Sequence, residues 1–99
     1  MADLIIVSWR DIPAQVIVKA GRRSARRELP KWFAEAIDSC AMGTQASDAE
    51  SYLAQWRRGA ALPCGDDLEA EADAALARLV ADYDAARLKR LVAAGGRDA

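Results

Sequence analysis

Histidine is absent from this sequence, which removes the side chain most often used as a general base and as a metal ligand. Cysteine is scarce: Cys40 and Cys64 stand far apart and form no Cys-x-x-Cys motif. Charge of one sign is lacking too, since 14 Lys and Arg face 15 Asp and Glu, a net charge of −1. Bulk charge therefore does not recruit polyanions, and nucleic acid is not an expected partner. No apolar run is long enough to suggest a membrane span, and the acidic start Met1-Ala2-Asp3 does not read as a signal n-region. These absences lead to the expectation of a cytoplasmic protein with reduced thiols and no membrane association. Neither a GxGxxG motif, a P-loop nor a serine–histidine arrangement occurs, so no cofactor, metal site or catalytic residue is expected. The enzyme reading is the weakest, because no base can be named.

What is present is a chain that is 53% hydrophobic over 99 residues, enough for one small core. The expectation is a single domain over 1–99, with 95–99 as a frayed tail. Its organising stretch lies near the start. Leu4-Ile5-Ile6-Val7-Ser8-Trp9 and Val16-Ile17-Val18 are rich in β-branched and aromatic residues, which fit a pleated surface. Pro13 between them belongs at a turn or strand start. The reading is an antiparallel hairpin with strands at about 4–9 and 14–19. Both faces of the first strand are apolar, so both need cover. A hairpin alone is marginal in water, so helices must pack on it or further strands must join it.

Five cations follow within nine residues: Lys19, Arg22, Arg23, Arg26 and Arg27. With 22–28 read as helical, the four arginines share one broad face. Guanidinium forks match carboxylates or phosphates.

Leu29-Pro30 ends that segment, and Pro30 opens a helix over about 30–42 with Trp32, Phe33, Ala36, Ile37, Cys40 and Ala41 on its apolar stripe. Ser47-Asp48-Ala49-Glu50 fits a capping box for a second helix at about 48–58, carrying Tyr52, Leu53 and Trp56. Tyr52 and Trp56 read as core residues with polar tips, in preference to a stacking platform. Arg57 and Arg58 suit the C-terminus of that helix. Residues 60–65 read as a connector, whose Cys64 sits before a helix start, a place that can depress a thiol pKa. The third helix spans about 67–94, capped by Asp66 or Asp67, acidic at its start and basic at its end. Those carboxylates fan around the helix and do not converge on a metal.

The blocks Leu4 to Val16 and Arg22-Arg23-Ser24-Ala25-Arg26-Arg27-Glu28-Leu29-Pro30, with Tyr52-Leu53, Trp56-Arg57 and Gly65-Asp66-Asp67-Leu68-Glu69, resemble a small proteobacterial domain family labelled "virulence factor". The resemblance covers nearly the whole chain, and its specific part is Trp9 to Pro30. It implies an accessory subunit for a folate- or corrinoid-linked one-carbon system, a methyltransferase or a methylenetetrahydrofolate reductase. It carries over no catalytic residues.

The fold expected is α+β, an N-terminal hairpin covered by three helices. The expected function is a non-enzymatic accessory or adaptor protein that docks an acidic protein surface through Trp9, Arg10, Lys19, Arg22, Arg23, Arg26 and Arg27. The hairpin edge would accept a strand from a partner or a second copy. The alternative is a small anion-binding protein, taking a folate-like, phosphate or nucleic-acid ligand at the same cations. A third reading leaves the cluster as a solvated face paired with the acidic helix start of the same chain.

Overall fold

A computed structural model describes residues 2–43 and 49–97 and shows an α+β fold. Strands β1 (Ala2–Trp9), β2 (Ile12–Ala20) and β3 (Arg23–Glu28) are followed by helices α1 (Lys31–Gly43) and α2 (Ala49–Ala54). Short strands β4 (Trp56–Arg58) and β5 (Leu62–Cys64) lead to α3 (Leu68–Asp82) and α4 (Ala85–Ala93). The sheet order is β3-β2-β1-β4, with β5 beside β4 on the same edge of β1, and every pairing is antiparallel.

The hairpin is as the β-branched runs require, and longer at each end. Its register slips at Val7/Ser8: Val7 opposes Gln15 but Ser8 opposes Pro13. Ala14 is the extra residue of this bulge, which places a proline where the ladder is already interrupted. Both hairpin edges are covered, β2 by β3 and β1 by β4 and β5. The edge expected to be open for a partner strand is therefore not on the hairpin; β3 is now the outer strand.

Three further readings are corrected. Residues 23–28 form a strand and not a helix, so strand alternation replaces the shared helical face. Arg26 opposes Ile17, and Arg27 opposes Val16, on the other side of the sheet. The helical preference of its arginines, Ala25 and Glu28 is only a local bias, and it loses to a ladder with β2. The second helix stops at Ala54, because Trp56–Arg58 pair with Trp9, Ser8 and Val7. Arg57 and Arg58 thus lie on a strand, not at a helix end. The capping residues Ser47 and Asp48 lie outside the described residues. The long third helix is two helices. Asp67 caps the first, accepting from the Ala70 amide at 3.2 Å. Asp84 caps the second, accepting from the Arg87 amide at 2.9 Å, and so interrupts a stripe that the sequence continues through Tyr83.

One core cluster joins the sheet to the helices. Leu4, Trp9, Ile12, Val16 and Val18 meet Phe33 and Ile37 of α1, Ala72 and Ala75 of α3, and Leu88 and Leu91 of α4. Phe33 meets Tyr83 with ring centroids 6.3 Å apart. Trp32, read as part of the apolar stripe, is instead 51% exposed. It rims a groove of about 600 Å³ between α1 and α4. Ile5 and Ile17 face each other across the hairpin on the opposite side of the sheet, buried but outside the main cluster.

The chain end does not fray at 95–96. Gly96 donates to the Leu91 carbonyl at 2.7 Å and Gly95 to that of Val92 at 3.2 Å, the two bonds of a Schellman cap, with φ of 74° and 83° at Gly95 and Gly96. Gly96 is buried.

Candidate functional site

The β2–β3 connection is a two-residue turn, Gly21-Arg22, closed by the pair Ala20 and Arg23. Gly21 has φ of 60° while Arg22 does not share the positive φ, the arrangement that puts glycine first in a type II′ hairpin. This tight turn projects Arg22 at the tip, with Lys19 and Arg23 just behind it. Lys19, Arg22, Arg23 and Arg26 are all exposed. None of them has an ion pair among the described residues.

Arg27 differs. It sits on the sheet face that α3 covers, and its Nε donates to Asp73 Oδ1 at 2.8 Å while a second nitrogen bonds Glu69. Glu69 and Asp73 are one helical turn apart, so one fork reaches both. Its pKa is raised, first by the bond to Glu69 and then by that to Asp73. Arg27 Nη1 also donates to the Arg26 carbonyl at 2.8 Å. The reading of internal pairing with the acidic helix start holds for this arginine.

Trp9 and Arg10, expected in the docking surface, are withdrawn from it. Trp9 is 0% exposed, and its indole donates to the Tyr52 carbonyl at 2.9 Å. The Tyr52 ring lies 5.8 Å from that of Trp9 and 6.0 Å from that of Trp56, and both Tyr52 and Trp56 are partly buried against the core. Arg10 lies over the Trp9 ring at 5.0 Å. Its Nη1 donates to the Gly95 carbonyl at 2.6 Å and its Nε to Gln55 Oε1 at 3.2 Å. Its backbone φ is 52°, the left-handed region that an arginine occupies only under constraint. The constraint is visible: the Arg10 amide donates to the Gln55 carbonyl at 3.0 Å and the Asp11 amide to Gly96 at 2.8 Å. Arg57 pairs with Asp11 on the same turn. The β1–β2 turn is thus a structural clasp between the sheet and both later segments.

Arg23 borders a depression of about 590 Å³ whose other walls include Asp66, Asp67 and Glu69. Three carboxylates there oppose an anionic ligand. Cys64 is half-buried and its thiol is pushed up, first by burial and then by Glu71, Asp3 and Asp66. The depression that a helix start can impose on a thiol is overridden by burial first and by these acids second. Cys40 is buried beneath Gly96, and burial raises its thiol too, against a smaller lowering by Arg10. Among the described residues no group of His, Cys, Asp and Glu could hold a metal, and no helix is long and apolar enough to cross a membrane.

The family model described as "Virulence factor" matches residues 7–92, from the middle of β1 almost to the end of α4. The chain belongs to the virulence factor family. The match takes in the β1–β2 clasp, the whole basic β2–β3 hairpin and its acidic counterpart on α3. No curated protein and no solved structure matches the chain.

Sequence reasoning found the arginines by their density. It missed that they lie on an edge strand. The signal was Ala20-Gly21-Arg22-Arg23, in which a glycine follows a Val-Ile-Val strand and opens a two-residue turn.

Proposed function

We propose that this protein is a non-enzymatic accessory or adaptor protein that docks an acidic surface of a partner protein through Lys19, Arg22, Arg23 and Arg26. One observation carries the reading: the chain's cations are divided. Arg10, Arg27 and Arg57 are each engaged by the protein's own acceptors, while these four, like Lys31, Arg58, Arg78, Lys89 and Arg90 elsewhere, are exposed without ion pairs among the described residues, and these four are crowded onto the β2–β3 hairpin. A solvated face needs no such concentration in a protein of net charge −1. The setting we propose is cytoplasmic, and the partner is an enzyme of folate- or corrinoid-linked one-carbon metabolism, as the family resemblance implies.

The alternative is a small anion as ligand at the same cations; the three carboxylates beside Arg23 weigh against either occupant at that one residue, which leaves Lys19, Arg22 and Arg26 as the stronger contacts. Co-purification from native extract with mass spectrometry identifies the partner. The Arg22→Glu/Arg23→Glu/Arg26→Glu variant, run beside the native chain, then loses it. Equal recovery with a correctly folded variant contradicts the proposal.

A further inference from the structure

We infer that the partner is bound as a short acidic strand added to the free edge of β3. This inference rests on the docking reading above and names how the contact is made.

The register determines which backbone groups are free. In a two-residue hairpin the closing pair exchanges hydrogen bonds, and bonded and non-bonded pairs alternate from there. The closing pair is Ala20 and Arg23. Arg23, Ala25 and Arg27 therefore turn their N–H and C=O groups toward β2. Leu29 continues that alternation by donating to the Ala14 carbonyl at 3.0 Å. Ser24, Arg26 and Glu28 turn theirs away from β2, on the side where the sheet has no further strand among the described residues. The Arg26 carbonyl already accepts from Arg27 Nη1 at 2.8 Å, so an incoming strand displaces that one contact. A row of outward groups at every second residue over six residues, about 20 Å, is a template for strand addition.

Charge selects the occupant. A second copy would set the same unpaired cations edge to edge, and like charges on neighbouring strands are unfavourable. An acidic strand meets complementary charge. Arg26 shares the sheet face of Lys19 and Ile17, while Arg23 and Arg22 lie at the turn end. Glu28 at the far end repels carboxylates. The bound segment therefore carries its acidic residues beside Arg26 and is neutral or basic where it passes Glu28 and where Ser24 borders Asp66, Asp67 and Glu69.

The test is an amide NMR titration of the full chain with an end-capped synthetic peptide that alternates glutamate and valine, beside its lysine-for-glutamate counterpart. The acidic peptide is expected to shift and protect from hydrogen exchange the amides of Ser24, Arg26 and Glu28, sparing those of Ala25 and Arg27, which are bonded already. Ser24→Pro removes an outward N–H and no ladder bond, and is expected to weaken the peptide at least tenfold. Should Ser24→Pro fail to fold, the exchange pattern of the native chain decides. Loss of binding in the arginine-reversed variant without any alternate-residue protection overturns strand addition and leaves acidic docking standing. Equal binding of the lysine peptide overturns both. Self-association through this edge, seen as the same protection growing with protein concentration alone, overturns the acidic occupant.

Discussion

Arg27 and Asp73, 46 residues apart, meet at 2.8 Å across the β3–α3 interface, whereas Arg26 beside it on the strand meets no carboxylate among the described residues. Strand alternation is the cause, sending adjacent side chains to opposite faces. Arg27→Gln is expected to lower stability slightly and leave partner binding unchanged, while Arg26→Glu weakens binding with little effect on stability. The bonds to Glu69 and Asp73 raise the Arg27 pKa, so its contribution is fully present below the ordinary guanidinium range. That contribution is lost only as pH rises through the raised value. Urea denaturation of the native chain and Arg27→Gln should therefore show the same difference at pH 7 and pH 10.

Arg10 is held in left-handed backbone by the bonds of its own amide and of the Asp11 amide, while its side chain grips Gly95 and Gln55. Replacing it by alanine keeps the backbone strain and removes those bonds, at an expected cost of about 2–3 kcal/mol. Arg10→Gly loses the same bonds but relieves the strain, so it should be more stable than Arg10→Ala by roughly 1 kcal/mol. Equilibrium unfolding of the two variants measures the difference directly. Equal stability would mean that the turn carries no strain.

The parts of this fold that are legible in the sequence depend on local chemistry. Val16-Ile17-Val18 and Leu4 to Trp9 declare strands through β-branched and aromatic side chains. Pro30 and the Phe33, Ile37, Cys40 spacing declare α1 to within one residue at each end. The parts that are not legible depend on distant neighbours. β3 has one buried residue, Ala25, and is a strand only because β2 offers it a ladder. The strands β4 and β5, three residues each, exist only as edging for β1. The cationic cluster itself was plain from its density, but its division was not. Which arginine is neutralised depends on Glu69 and Asp73, 42 and 46 residues away. Trp9 and Arg10 read as docking residues in the sequence, but Trp9 is buried against Tyr52 and Arg10 reaches the Gly95 carbonyl, 85 residues on.

Two glycines with positive φ should differ in their tolerance of a side chain. At Gly21 a Cβ meets nothing within 4 Å, so Gly21→Ala costs only the left-handed backbone, about 1–2 kcal/mol. At Gly96 a Cβ falls 3.0 Å from Cys40 Sγ and 3.2 Å from Arg10 Cδ. Gly96→Ala is therefore expected to be the more destabilising of the two in thermal unfolding, because it adds crowding against the β1–β2 clasp.

Both thiols should be sluggish at neutral pH. Cys64 is raised by burial and by Glu71, so Glu71→Gln is expected to speed its alkylation by iodoacetamide. Cys40 should react only on unfolding. Burial raises the Cys40 thiol above its ordinary 9.0, so the folded state favours the protonated form. Its contribution to stability is full below pH 9.0 and is lost as pH rises through the raised value. Urea midpoints followed from pH 8 upward should fall in the native chain. That component of the fall should be missing in Cys40→Ala, whose midpoint is lower throughout.

The most direct measurement is the affinity of the co-purified partner for the native chain and for single charge reversals at Arg22, Arg23 and Arg26, across a salt series, with Arg27→Gln as control. The expected result is a loss of about tenfold or more for at least two of the reversals, near-native binding for the control, and affinity that weakens as salt rises. Affinity indifferent to all three reversals and to salt would contradict the claim that this hairpin is where the protein meets its partner.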